Sequence, residues 1–187
     1  MSNLLRATRR ATLALALAAS FAPAATQAKA SRADIDRDSR AALQQLYATS
    51  PKAKELGAKS RAILVFPHII KAGLGIGGLS GNGALLQKGK SVGYFNLSAG
   101  TMGLQAGAQK YSYALFFINQ SALDYLAKSD GWAIGSGPSV VVLDEGKAKT
   151  MNSTTLSQDV YAFPFAQKGL MAGLGLEGSK ITKINPS

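Results

Sequence analysis

A run of unopposed positive charge is the feature of this sequence that points most directly to chemistry. Between Glu55 and Asp124 the chain has no Asp or Glu, yet it carries these cations: Lys59, Arg61, Lys71, Lys88, Lys90 and Lys110. Lys52 and Lys54 come just before, partly offset by Glu55. Such a stretch suits an anionic partner, namely phospholipid headgroups, nucleic acid or an envelope polymer. A merely solvated basic face is the alternative.

Two glycine motifs within this stretch imitate nucleotide-binding loops. The segment 73–78 satisfies G-x-G-x-x-G, but a dinucleotide site also needs a following helix and an acid about 20 residues further on, and neither is present. Gly89-Lys90-Ser91 resembles the end of a phosphate loop, but Ala84 stands at the position where that motif requires its first glycine. The glycines are better explained as sites of strand curvature, bulging and close backbone approach. No cofactor is expected.

The inventory of catalytic and metal-binding side chains is thin. The chain has no cysteine and one histidine, which excludes thiol nucleophiles, Cys-type metal sites and clusters of His ligands. His68 has no acid within twelve residues on either side. We therefore expect no enzyme, no catalytic residue and no metal. A hydrolase that uses His68 remains an alternative, and it requires a carboxylate that folding brings close to the imidazole.

The positions of apolar residues predict which elements carry these side chains. An amphipathic helix is expected over 33–49, and Ser50-Pro51 predicts a second helix that ends at Gly57. Short strands are expected after it, at 62–66, 84–87, 91–97, 111–118, 140–143, 147–151, 159–165 and 170–181. One helix, 122–128, interrupts them, capped by Asn119 or by a Ser121–Asp124 capping box.

This order of elements predicts an α+β fold. N-terminal helices precede a largely antiparallel, strongly curved sheet, barrel- or sandwich-like, with one inserted helix. The 157 residues from Ser31 to Ser187, with 17 basic and 10 acidic side chains, are enough for a single domain.

The first 30 residues have the pattern of a cleaved secretory signal peptide. Met1–Arg10 is basic, Ala11–Ala22 is apolar, and Ala28-Lys29-Ala30 is a small-residue cleavage signal. The apolar run is too short to span a bilayer. We expect a mature start at Ser31 and a periplasmic or secreted protein, exported by the general secretory route or, through Arg9-Arg10, by the twin-arginine route.

The chain also resembles the SYLF domain family, over about residues 34–183. The resemblance rests on an ordered set of motifs: Phe66-Pro67, Lys71-Ala72-Gly73, Gly77-Gly78, Gly81-x-Gly83, Gly93-Tyr94-Phe95, Gly103–Gly107, the helix Ser121–Leu126 and the ending Lys168–Ser179. It implies a lipid-binding, non-enzymatic domain. Eukaryotic relatives bind phosphoinositides, some through a basic N-terminal helix, and certain fungal relatives also bind actin.

An exported bacterial member would meet neither actin nor nucleic acid. The expected partner is therefore an anionic phospholipid surface, bound peripherally. The helix 33–49 carries three acids against Arg37 and Arg40, so the expected lipid-binding residues lie elsewhere: Lys52, Lys54, Lys59, Arg61, Lys71 and Lys168. An envelope structural or protein-interaction module without direct lipid binding is the main alternative, and an outer-membrane β-barrel is another.

Overall fold

The computed structural model describes residues 30–143 (backbone only at 101–106), 156–168, 176 and 178–187. Three expectations fall wholly or largely outside these residues. They are the signal peptide at 1–30, the strand at 147–151 and most of the closing strand at 170–181.

Two capped helices open the described chain. Helix α1 runs over Arg32–Thr49 and helix α2 over Pro51–Lys59. The Ser31 hydroxyl accepts a hydrogen bond from the Asp34 N–H, and Ser50 does the same for Ala53, both at 3.2 Å. Gly57 was expected to end α2, but it lies within the helix. The Tyr47 ring packs against it so closely that a Cβ would not fit.

The next two strands form one long antiparallel hairpin. Strand β1 spans Ala62–Gln87 and strand β2 spans Lys90–Phe117. Their register runs from Ala62 opposite Phe117 to Gln87 opposite Lys90. The expectation of separate short strands is therefore wrong. Pro67 does not end β1 because it lies at a bulge, where the register shifts between Phe66 and Ile69.

This hairpin doubles over on itself. A Cβ on Gly73 would lie 2.5 Å from the Gly77 Cα, which marks a sharp bend in β1. A Cβ on Gly81 would lie 2.5 Å from the carbonyl oxygen of His68. The second half of β1 therefore crosses the first half at backbone contact, and this crossing makes the sheet strongly curved, as the sequence predicts.

The remaining elements complete an α+β fold with a mostly antiparallel sheet. They are α3 at Gln120–Lys128, β3 at Trp132–Ala133, β4 at Val140–Val142, β5 at Val160–Lys168 and β6 at Lys180–Ile184. The described strands follow the order β3-β6-β2-β5-β4, with β1 also paired to β2. Strand β4 pairs in parallel with β5, while its expected hairpin partner, 147–151, lies outside the described residues.

The inserted helix begins earlier than its sequence suggests. Asn119 is the N-cap of α3, but its side chain makes no cap bond and donates instead to Asp159 Oδ1 at 2.8 Å. Ser121 lies inside the helix, so the expected capping box with Asp124 is not formed.

Two apolar cores bury both faces of the sheet. One core lies inside the curve, where Phe66, Tyr113 and Trp132 pack under α3. The other lies outside it, where Leu46 and Leu56 of the two N-terminal helices pack on Val65 and Phe116. Because alternate residues of a strand point to opposite faces, the apolar run at 62–66 supplies both cores.

Candidate functional site

A groove of about 640 Å³ lies between the end of α2, the start of β1 and the hairpin turn. Arg61 and Lys88 line it, and no carboxylate is among its described lining residues. Leu43, Tyr47 and Leu86 supply apolar side chains to the same groove. A cationic wall beside an apolar floor suits a ligand that has both an anionic and an apolar part.

Regular backbone structure holds both cations in place. The N–H of Arg61 donates to the carbonyl oxygen of Phe117 at 2.8 Å, which fixes the residue at the start of the hairpin ladder. Lys88 and Gly89 form the two-residue turn at its other end, with φ of 50° and 76°. Positive φ at both central residues is typical of a type I′ hairpin turn. The doubling of the hairpin brings these two ends to one groove.

The lysines of α2 extend this positive surface. Lys54, Lys59, Arg61 and Lys88 are exposed, and Lys52 is partly exposed. Glu55 lies between two of them, 3.1 Å from the Lys52 ammonium and 3.0 Å from that of Lys59. We call Lys52, Lys54, Lys59, Arg61 and Lys88 the α2–hairpin surface. It contains five cations and, through Glu55, one counter-charge.

Two residues expected in the lipid-binding set lie elsewhere. Lys71 is only 6% exposed and points into the curved sheet, so it does not belong to the exposed surface. Its position in β1 explains this, because Lys71 lies two residues after buried Ile69 and its side chain therefore points to the same face of the strand. Lys168 is exposed at the end of β5 and lies opposite Lys110 rather than beside α2. Lys52, Lys54, Lys59 and Arg61 therefore share a region, while Lys71 and Lys168 are separate from it.

Helix α1 carries its own counter-charges. Arg37 lies 2.9 Å from both the Asp34 and Asp38 carboxylates, and Arg40 lies 3.8 Å from Asp36. The hydrogen bonds from Ser31 and Arg37 lower the pKa of Asp34, so this carboxylate is ionised at neutral pH. These local pairs leave no excess of positive charge on α1, in agreement with the choice of site residues outside this helix.

Folding does bring a carboxylate to His68. Asp38 Oδ2 lies 3.4 Å from His68 Nε2, although 30 residues separate them in the sequence. Among the described residues, no hydroxyl group is hydrogen-bonded to the imidazole, and no cluster of His, Asp or Glu could hold a metal ion. Folding therefore supplies the carboxylate that the hydrolase alternative requires, and no described hydroxyl completes a nucleophile–base pair with the imidazole.

Lys88 lines the groove but was not among the expected site residues, although it lies in the acid-free run. The Lys88-Gly89-Lys90 signal predicts a turn, but the crossing of β1 decides where that turn lies. The local sign of this crossing is a small residue where two backbones meet, both at Gly81, which approaches the His68 carbonyl, and at Gly83, which approaches that of Val65.

Within the part of the chain that the structure describes, no helix combines the length and apolar character needed to cross a bilayer.

Residues 98–185 match the Ysc84 family model, described as a Las17-binding protein actin regulator. This match confirms the resemblance to the SYLF family. It begins inside β2, so the N-terminal motifs of the resemblance, including Phe66-Pro67, precede it. SYLF domains are non-catalytic binding modules for lipids or proteins. No curated protein matches the chain.

Proposed function

We propose that this chain, whose residues 98–185 identify it with the SYLF family, binds anionic phospholipid headgroups through the α2–hairpin surface. The observation that carries the proposal is the groove shared by Arg61 and Lys88, with its apolar floor and no described carboxylate. The module acts by presenting positive charge to a membrane and transforms no substrate.

The number of charges predicts weak, reversible attachment. The α2–hairpin surface has five cations and one carboxylate, and each Lys or Arg near an anionic bilayer contributes about 1 kcal/mol. A net excess of four charges gives about 4 kcal/mol, which corresponds to a dissociation constant of about 1 mM. Contact of lipid with Tyr47 and Leu86 in the groove strengthens this. Because the charges are exposed, salt weakens the attachment.

The proposed site of action is the bacterial envelope. The basic, apolar and small-residue pattern of residues 1–30 supports export, and the 17 basic against 10 acidic side chains of Ser31–Ser187 suit the anionic surface of a phospholipid membrane. Detection of the protein in a periplasmic fraction, with an N-terminus at Ser31, is the expected result. Recovery of the intact N-terminus from the cytoplasm would contradict export.

A protein-interaction module of the envelope is the second candidate. Leu74 and Ile76 at the bend of β1 are 81% and 77% exposed, and such apolar side chains suit a protein partner. The family description also names a protein, Las17, as a binding partner. We expect no actin binding by an exported member.

Cosedimentation with vesicles distinguishes the two candidates. We expect the full chain to sediment with phosphatidylglycerol vesicles, to remain in solution with phosphatidylcholine vesicles, and to be released by high salt. Equal binding to both vesicle types, or binding that salt does not change, would exclude the electrostatic mechanism. Recovery of one stoichiometric protein partner, without vesicle binding, would favour the interaction module.

A further inference from the structure

Strands β1 and β5, which pair with β2 on its two sides, each have a β-bulge opposite the segment 110–113 of β2. On β1, Phe66 and Ile69 pair with Tyr113 and Tyr111, so β1 carries one extra residue there. On β5, Phe165 pairs with Ser112 and Lys168 pairs with Lys110, so β5 also carries one extra residue relative to β2. Bulges re-aim side chains and occur preferentially next to functional sites.

Each bulge is held in a defined conformation. The Ser112 hydroxyl donates to the carbonyl oxygen of Pro67 at 2.7 Å, which ties the first bulge to β2. In the second bulge, Ala166 has φ of 52°, the left-handed region that a residue with a Cβ rarely adopts. Strained backbone of this kind concentrates at binding sites.

The two bulges open into one cleft of about 290 Å³. His68 comes from the first bulge, Ala166 and Lys168 from the second, and Lys110 from β2 between them, while α1 closes the cleft with Asp38 and Gln45. We call this the twin-bulge cleft. It is separate from the groove that Arg61 and Lys88 line, and the two have no lining residue in common.

The charges in the twin-bulge cleft are unbalanced. Lys110 and Lys168 are register partners on neighbouring antiparallel strands, and like charges in this position destabilise a sheet. Among the described residues, no carboxylate lies within salt-bridge distance of either ammonium. An anion between the two lysines would remove the repulsion.

Asp38, the one acid among the described residues that line the cleft, does not supply this counter-charge. Asp38 Oδ1 accepts a hydrogen bond from Arg37 Nε at 2.9 Å, and Asp38 Oδ2 lies 3.4 Å from His68 Nε2. Asp38 is therefore in contact with Arg37, which it shares with Asp34, and with the imidazole, and it lies outside salt-bridge distance of both lysines of the cleft. Among the described residues, the two lysines are thus left without a counter-charge, and the Gln45 amide offers a neutral donor beside them.

We propose that the twin-bulge cleft binds a phosphate group between Lys110 and Lys168. Two ammonium groups from adjacent strands suit the several acceptor oxygens of a phosphate, and hydrogen bonds between charged groups are the strong ones. The phosphate belongs either to a lipid headgroup or to a free phosphate ion. This site goes beyond the α2–hairpin surface, and neither proposal depends on the other.

Amide NMR shifts of the full chain during titration with inorganic phosphate test the site. We expect saturable shifts confined to His68, Lys110, Ala166 and Lys168. The double variant Lys110→Gln/Lys168→Gln should bind phosphate roughly tenfold more weakly or worse, because it loses both charge-assisted contacts. The matched control Lys180→Gln/Lys183→Gln, which changes two exposed lysines of β6, should bind as the wild type does.

Vesicles of phosphatidylglycerol identify the source of the phosphate. If the double variant also binds these vesicles more weakly, the cleft takes a lipid headgroup; if vesicle binding is unchanged, it takes free phosphate. The variant should melt at or above the wild-type temperature, because it removes a repulsive pair. A lower melting temperature, shifts that do not saturate, or equal phosphate affinity in the double variant would each overturn the proposal. Loss of phosphate binding in Arg61→Glu/Lys88→Glu, outside the cleft, would do so too.

Discussion

Lys71 lies directly opposite Gln109 across the β1–β2 ladder, and both side chains are buried inside the curved sheet, at 6% and 2% exposure. Neither amide atom of Gln109 has a hydrogen-bond partner among the described residues. No described carboxylate lies within salt-bridge distance of Lys71. The inner core therefore contains polar groups whose desolvation costs free energy.

Replacement of Lys71 by methionine should stabilise the protein and leave vesicle binding unchanged. Methionine keeps much of the side-chain volume and removes a buried charge, so we expect the free energy of unfolding to rise by about 1–3 kcal/mol. Lys54→Met on exposed α2 is the matched control. It should change stability by less than about 0.5 kcal/mol and weaken vesicle binding. The reverse pattern, with binding lost only in Lys71→Met, would show that Lys71 reaches the membrane.

The crossing of the two halves of β1 predicts opposite effects for two glycine substitutions. A Cβ at Gly81 would lie 2.5 Å from the carbonyl oxygen of His68, whereas a Cβ at Gly100 meets nothing within 4 Å. Gly81→Ala should lower the free energy of unfolding by about 1–3 kcal/mol through overpacking. Gly100→Ala should be neutral or stabilising because it restricts the unfolded chain. Chemical denaturation measures both, and equal effects would contradict the doubled hairpin.

Asp159 predicts a loss of stability in acid. Its carboxylate accepts hydrogen bonds from the Asn119 amide and from the N–H and hydroxyl of Ser139, all at 2.8 Å. These bonds lower its pKa in the folded state. The stabilisation is thus complete above the unfolded pKa of about 3.9 and disappears as the pH falls through the folded value. In acid melts, Asp159→Asn should flatten this pH dependence, and an unchanged pH dependence in this variant would contradict the assignment.

The burial of Tyr111 predicts that its phenol ionises late in an alkaline titration. Burial raises the pKa of its phenol to about 12, and the pKa of neighbouring Tyr113 is raised as well. Because the folded pKa of Tyr111 lies above the unfolded value of about 10, the stabilisation is complete below pH 10 and is lost as the pH rises towards 12. Phenolate absorbance should show a titration step near pH 12 that Tyr111→Phe removes. Loss of a step near pH 10 instead, in Tyr111→Phe, would place this phenol in water.

The sequence could predict the local features of this fold. The hydroxyls of Ser31 and Ser50 cap helices because their hydrogen bonds are local, and the apolar run from Ala62 to Phe66 forms a buried strand because both of its faces are covered. The α+β class and the curvature of the sheet followed from the order of elements and the spread of glycines.

The sequence could not predict contacts that arise from the doubling of the hairpin. Arg61 and Lys88 line one groove, and Asp38 approaches His68, although the residues of each pair are far apart in the chain. The burial of Lys71 depends on the strand register, which the sequence does not show either. Charge and spacing carry no information about such distances. A one-residue bulge at Pro67 also changes which side chains face outwards, and a periodic pattern does not reveal its position.

Charge reversal of Arg61 and Lys88 tests the central claim most directly. The variant Arg61→Glu/Lys88→Glu and its control Lys128→Glu/Lys183→Glu alter the net charge equally, but only the first pair lines the groove. In cosedimentation with phosphatidylglycerol vesicles, we expect the groove variant to lose about 2–4 kcal/mol of binding, roughly 30-fold or more in affinity. The control should lose far less, and both proteins should melt near the wild-type temperature. Equal loss of binding by the two variants would mean that net charge, rather than the α2–hairpin surface, holds the protein to the membrane.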